Sequence, residues 1–168
     1  KGFLAEMFLE KKFHNLVTNL IGRDLAYNTD PSLTLNLPNK ASSKKNYLFK
    51  DWHQEIWSGS SASSIQIWTP IFQKDSCQGQ LELMAESHKW GHIPHRNREP
   101  VEIPEDAVYK QLDVQQGDMV IFHSLLVHAS VPNEHESPRF AFPQYVRNFH
   151  DKDSGFEDLK SWDNLNYS

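Results

Sequence analysis

Gly117-Asp118-Met119-Val120-Ile121-Phe122-His123-Ser124-Leu125-Leu126-Val127-His128-Ala129-Ser130 is the stretch on which the fold turns. A Gly-Asp turn launches an apolar strand over residues 119–123, and a second strand-like run follows over 126–131. His128 stands there in otherwise buried company. A buried imidazole needs a partner, and a metal ion is one that satisfies it.

Working outward, short strand-like pieces recur. Residues 65–72 carry the strongest strand pattern of the middle region, followed after a polar turn by 81–84 and then by 101–103, 108–112 and 139–146. Upstream, Leu33, Leu35 and Leu37 alternate with Thr34 and Asn36 until Pro38-Asn39 ends the run. Many short strands separated by turns, with no helical rhythm between them, predict a mainly β chain, an antiparallel sandwich or small barrel. They argue against an α/β fold built of crossover helices. No internal repeat is visible. Helical rhythm is confined to the start, where Phe3, Leu4, Met7, Phe8, Phe13, Leu16, Val17, Leu20 and Ile21 recur at 3.6-residue spacing. One or two amphipathic helices are expected there, lying outside a distorted jelly roll, with Gly22 as the left-handed stop and His14 as an ordinary helix residue.

Residues 58–64 hold five serines and one glycine, a composition that predicts a mobile loop beside a pocket. After Phe149, the residues Phe156, Leu159, Trp162 and Leu165 are spaced like one face of a short helix packed on the outside. The expected organisation is a single domain over 1–168: a helical flank over 1–32, a β core over 33–149 and a tail over 150–168.

The 168 residues suffice for one ordinary core, and an aromatic content of 12% argues against disorder. A net charge of −5 gives no long-range attraction to phosphate backbones or anionic membranes, so neither nucleic acid nor membrane is the expected partner. The basic residues Lys44, Lys45 and Lys50 read as a solvated face. Cys77 is the only cysteine, which excludes an intrachain disulfide and thiolate clusters and fits a reducing, cytoplasmic setting. No apolar run approaches membrane-spanning length and no secretory leader is visible; the chain starts at Lys1 and not at methionine, so its ends carry little argument.

Three elements carry chemistry. In Trp52-His53-Gln54-Glu55-Ile56, side chains two apart on an extended segment share a face, so His53 and Glu55 can converge on one ion or merely hydrogen-bond at a surface. His128 is the second element. The third is Arg139 at the head of an apolar strand, a place for a strand-end salt bridge or for a bidentate grip on a carboxylate. Two histidines and one carboxylate form the facial triad typical of non-haem Fe(II). His123, five residues before His128, falls on the opposite face of an ideal strand, and His88, His92 and His95 lie around Gly91 and Pro94 in a loop without a thiolate or a placed acid.

Taken in order, Trp52-His53-Gln54-Glu55, Trp68 in Ile67-Trp68-Thr69-Pro70, Gly79-Gln80-Leu81, Glu86-Ser87-His88-Lys89-Trp90-Gly91, and Gly117-Asp118 through His128-Ala129-Ser130 with Pro132-Asn133 and Arg139 resemble the phytanoyl-CoA dioxygenase family. The similarity runs from about Tyr47 to Tyr145, and Arg139 follows His128 by eleven residues as in the family. The resemblance implies a double-stranded β-helix (jelly roll, cupin-like) with flanking N-terminal helices. It implies a dioxygenase using Fe(II), 2-oxoglutarate and O2, which hydroxylates a small organic metabolite; desaturation, cyclisation, or metal and carboxylate binding without turnover are the alternatives. His53, Glu55 and His128 are then the metal ligands. Arg139 binds the far carboxylate of 2-oxoglutarate with Ser130 as hydroxyl helper, Trp68 packs against the cosubstrate, and Gln54 is a polar residue near the metal. Two departures stand out: Glu55 replaces the usual aspartate, and Glu86 replaces a glycine.

Overall fold

In the computed structural model the described residues are 6, 10–30, 32–38, 51–73, 78–151 and 162–165. Cys77, the lysines 44, 45 and 50, and Phe156 and Leu159 of the expected tail helix lie outside them.

At the N-terminal side α1 runs over Lys11–Ile21, and the helical flank does not reach residue 32. Glu10 starts it, its carboxylate accepting from the backbone N–H of Lys12 and Phe13 at 3.0 Å each, donors that helix geometry leaves orphaned. Gly22 stops it as expected: at φ 94° its N–H donates to the Thr18 carbonyl. A Cβ there would press on Asn148, whose amide donates to the Ile21 carbonyl.

The helix gives way at once to β1 (Leu25–Asn28), a strand inside the stretch expected to be helical. The remaining strands are β2 (Thr34–Asn36), β3 (Ile65–Phe72), β4 (Leu81–Met84), β5 (His95–Arg96), β6 (Glu99–Pro100), β7 (Tyr109–Gln111), β8 (Val120–His123), β9 (His128–Ser130), β10 (Arg139–Asn148) and β11 (Trp162–Asn164). The larger sheet runs β11-β1-β10-β3-β8 with β2 also on β10, the smaller β7-β4-β9, and β5-β6 is a separate hairpin. Among the described residues every strand ladder is antiparallel. Trp162 therefore lies in an edge strand and not on a helix, and residues 101–103 form no strand, Val101 being exposed.

Strand alternation sorts the larger sheet into two faces. Ile65, Ile67 and Val146 turn outward onto Val17 of α1, with Leu25 and Leu165. Trp68, Phe122 and Ala141 turn inward and meet Leu81 of the smaller sheet together with Val114 and Leu126, so the two sheets face each other across this apolar layer. A third cluster of Ile56, Trp57, Met84, Ile93 and Val127 closes the layer's neighbourhood around the loops. The serine-rich stretch is not a loose loop: Ser60, Ser61 and Ser64 are buried, and the Ser61 carbonyl accepts from both Ser64 Oγ (2.8 Å) and Ser124 Oγ (2.7 Å). Short hydroxyl side chains satisfy the backbone locally, which lets a polar segment enter the interior.

Candidate metal centre

Two of the three expected ligands are opposite one another in an isolated antiparallel bridge. His53 N–H donates to the His128 carbonyl and His128 N–H to the His53 carbonyl, each at 3.0 Å. Opposed residues of such a bridge share a face, and the two imidazole centroids lie 4.3 Å apart. Gln54 is extended (φ −107°, ψ 142°), so its side chain turns away and Glu55 returns to the face of His53. Glu55 then opens a 3-10 turn over Glu55–Ser58, anchored by its own N–H on the Ser124 carbonyl at 3.0 Å and closed by left-handed Gly59.

His53, Glu55 and His128 are all buried, and one ligand atom from each lies within 4.8 Å of the others. Glu55 Oε1 stands 3.1 Å from His53 Nε2 and 3.3 Å from His128 Nε2. Ligands on one triangular face around an ion at about 2.1 Å are roughly 3 Å apart, so these spacings fit a divalent cation. The second nitrogens fix the tautomers. His53 Nδ1 faces the Asp51 carbonyl at 2.6 Å and His128 Nδ1 the Leu126 carbonyl at 2.9 Å. A carbonyl only accepts, so each Nδ1 carries a proton, and Nε2 is the nitrogen that each ring turns towards Glu55 and could offer to an ion. Burial, and after it the neighbouring His53, pushes His128 below its ordinary pKa, which favours the neutral imidazole that a metal ligand requires. Among the described residues this is the one group of three or more histidine, cysteine or acidic side chains able to share an ion.

Tyr145 was not anticipated from the sequence. Its phenol donates to Glu55 Oε2 at 2.8 Å from the inner face of β10. Burial first, then the charge of Glu55 and its hydrogen bond, raise Tyr145 well above the ordinary tyrosine value, so it remains a donor. A tyrosine in an apolar strand reads as core; the available signal was Glu55, a carboxylate whose second oxygen needs a donor once buried.

Arg139 is fully buried. Its Nη1 donates to the Gly79 carbonyl, and its guanidinium carbon lies 4.9 Å from the centre of the Trp68 ring. Nε and Nη2 have no hydrogen-bond partner, and no acidic side chain among the described residues pairs with the cation. Burial pushes its pKa down to about 10, so it stays charged at neutral pH. A buried cation with two free donors matches a carboxylate-bearing ligand. Gly79 makes the contact possible: at φ 82° it passes so close to Asn36 and the Val131 carbonyl that a Cβ would lie 2.6 Å from the latter.

The other expected site residues fall as follows. Ser130 lies two residues beyond His128 on β9, hence on the same face, and its hydroxyl bonds to none of the described residues. Trp68 lies under Arg139 on β3. Gln54 is a brace and not a free polar group. Its amide nitrogen donates to the Gly91 and Leu125 carbonyls at 2.8 and 2.6 Å, and its oxygen accepts from Ile93 N–H at 3.1 Å. His123 stays outside the triad, its Nδ1 accepting from Leu125 N–H. Of the loop histidines, His95 stacks on Trp57 with ring centres 4.7 Å apart, and His88 lies near His123. Glu86 occupies a left-handed turn position (φ 62°) and pairs with Lys89. That conformation is the physical reason a glycine suits the position.

A mainly antiparallel β fold with a buried two-histidine, one-carboxylate cluster and a buried arginine that lacks an acidic partner among the described residues defines a candidate non-haem metal protein. The phytanoyl-CoA dioxygenase (PhyH) profile matches residues 2–141, and the chain belongs to that family. Its fold is shared with solved structures of low identity. The non-heme monooxygenase ThoJ in its apo form aligns at TM-score 0.66 and 23% identity over 88% of this chain. The epimerase SnoN in complex with Fe3+, alpha ketoglutarate and nogalamycin RO aligns at 0.70 and 14% over 97%. EvdO2 from Micromonospora carbonacea var. aurantiaca complexed with 2-oxoglutarate aligns at 0.60 and 16% over 94%. This chain spans 56% of the ThoJ chain, 73% of SnoN and 70% of EvdO2.

Proposed function

We propose that this chain forms a single oxygenase domain on a double-stranded β-helix and acts as an Fe(II)- and 2-oxoglutarate-dependent dioxygenase that hydroxylates a small organic metabolite. The observation that carries this reading is the buried cluster of two histidine Nε2 atoms around one carboxylate oxygen, beside which the fold buries an arginine with two unpaired donors and no acid among the described residues. His53, Glu55 and His128 would hold the iron. Bound iron would supply oxygen activation coupled to decarboxylation of 2-oxoglutarate to succinate. Arg139 would grip the distal carboxylate through Nε and Nη2, with the Ser130 hydroxyl as a further contact. Trp68 holds the guanidinium plane from below, and the apolar layer of Phe122, Leu126 and Ala141 keeps water from the ion-pairing groups. Gln54 ties the loop around Gly91 and Ile93 to Leu125, which sets the wall of the site.

The test is succinate formation from 2-oxoglutarate under air with Fe(II), followed by a mass gain of one oxygen in a metabolite pool. His128→Ala should abolish both. Iron- and 2-oxoglutarate-independent turnover, or no succinate from folded protein that binds both ligands, would remove the oxygenase reading. A product lacking the added oxygen would point to desaturation or cyclisation.

A further inference from the structure

We propose that Tyr145 is the positioning residue of the metal centre, its phenol holding Glu55 by Oε2 so that Oε1 alone is presented to an ion beside the two histidine Nε2 atoms. The proposal rests on the reading of His53, Glu55 and His128 as a metal centre and goes beyond it to the control of the carboxylate.

A glutamate has one more rotatable bond than an aspartate, and an unrestrained carboxylate in a buried site can turn both oxygens to the same ion. Here both ends of the arm are fixed. The backbone end is set by the turn and by Glu55 N–H on the Ser124 carbonyl. The carboxylate end is set by the Tyr145 phenol at 2.8 Å, with Oε1 left 3.1 and 3.3 Å from the two Nε2 atoms. The donor is itself rigid: Tyr145 is buried in the middle of β10, paired with Gln66 of β3 on one of the longest ladders of the fold. Hydrogen bonds to ionised groups in such surroundings are the strong ones. One oxygen engaged by the phenol leaves one for the metal, and a coordination position that a second oxygen would fill stays available to small ligands.

The probe is Co(II) alone, read by its visible absorption, on wild type, Tyr145→Phe, Glu55→Asp, the double variant and His128→Ala. Tyr145→Phe should bind Co(II) about tenfold more weakly, a loss in the range of a charge-assisted hydrogen bond. Its absorption per bound ion should also fall, because the freed oxygen raises the coordination number. In the Glu55→Asp background the same tyrosine substitution should change affinity less than twofold, since a carboxylate withdrawn by about 1.5 Å is out of hydrogen-bond reach of the phenol. Equal losses in both backgrounds, or no change in affinity or spectrum with Glu55 present, would overturn the proposal while leaving the metal centre standing. Equal Co(II) binding by wild type and His128→Ala, or none by wild type, would overturn the metal centre and this proposal with it. Should Tyr145→Phe not fold, Glu55→Asp alone decides: it must bind about tenfold more weakly, and undiminished affinity overturns the role of Tyr145.

Discussion

Replacing Arg139 by leucine separates a ligand-binding arginine from a structural one. In the ligand-free protein the guanidinium is buried, has one backbone acceptor and a ring beneath it, and two donors without partners. A pKa pushed down to about 10 from the ordinary arginine value corresponds to an unfavourable burial on the order of 3 kcal/mol. Against this stand the bond to Gly79 and the contact with Trp68, together about 2 to 4 kcal/mol. The two nearly cancel, so Arg139→Leu should shift ligand-free stability by less than about 2 kcal/mol. Breaking a buried ion pair would cost about 3 to 5 kcal/mol. With 2-oxoglutarate the balance changes, because two charge-assisted bonds are lost. A loss of about 2 to 5 kcal/mol means affinity weaker by roughly 30-fold or more. The assay is anaerobic titration of Fe(II)-loaded protein with 2-oxoglutarate, following the charge-transfer absorption of keto-acid chelation, beside denaturant melts with and without the ligand. Unchanged 2-oxoglutarate affinity in the folded variant refutes the role of Arg139; a ligand-free loss above about 4 kcal/mol shows that the arginine serves the fold.

Gln54→Leu leaves two carbonyls and the Ile93 N–H without their partner and should cost about 2 to 4 kcal/mol in denaturant unfolding; a cost under 0.5 kcal/mol would show that the brace is idle. Gly79→Ala places a methyl against Asn36 and the Val131 carbonyl at positive φ, and should destabilise by about 2 kcal/mol or more while weakening 2-oxoglutarate binding through Arg139; wild-type values for both would exclude the close approach. Burial, and then the charge of His88, lower the pKa of His123 below its unfolded value near 6.5. The unfolded chain then takes up the proton first, so this contribution to stability is present above about pH 6.5 and is lost as pH falls towards the folded value. His123→Asn keeps an acceptor for Leu125 N–H but has no proton to gain, and should flatten the fall in stability below pH 6.5; identical slopes would place the acid sensitivity elsewhere.

The strands that carry the site were the most legible part of the chain. β3 and β4 have the bounds that their apolar runs predict, and β8, β9 and β10 differ only at their ends. Short apolar runs bounded by turn residues, with no helical period between them, read as strands. The β5-β6 hairpin escaped because its two turn residues, Asn97 and Arg98, both take positive φ without the glycine that normally announces such a turn. β1 is four residues long and follows a helix stop directly, so it offers no period to read. Trp162 and Leu165 have helical spacing, but three residues of strand edge produce the same interval. Among the site residues, His53, Glu55, His128 and Arg139 are polar groups in apolar or patterned company, where burial demands an explanation. Gln54 and Tyr145 act through tertiary partners 37 to 90 positions away, which local pattern does not encode.

The bridge between His53 and His128 also joins two points of the chain 75 positions apart, taking the difference of their numbers. Closing a loop of that length costs about 4 kcal/mol in chain entropy, more than two exchanged backbone hydrogen bonds return. An ion held by both imidazoles would therefore cross-link the early and late halves of the sequence where two backbone hydrogen bonds alone do not offset the closure. With a single cysteine the chain cannot make that staple covalently. Metal loading becomes a reversible cross-link, and its removal should quicken unfolding by freeing the 75-position loop that the bridge closes.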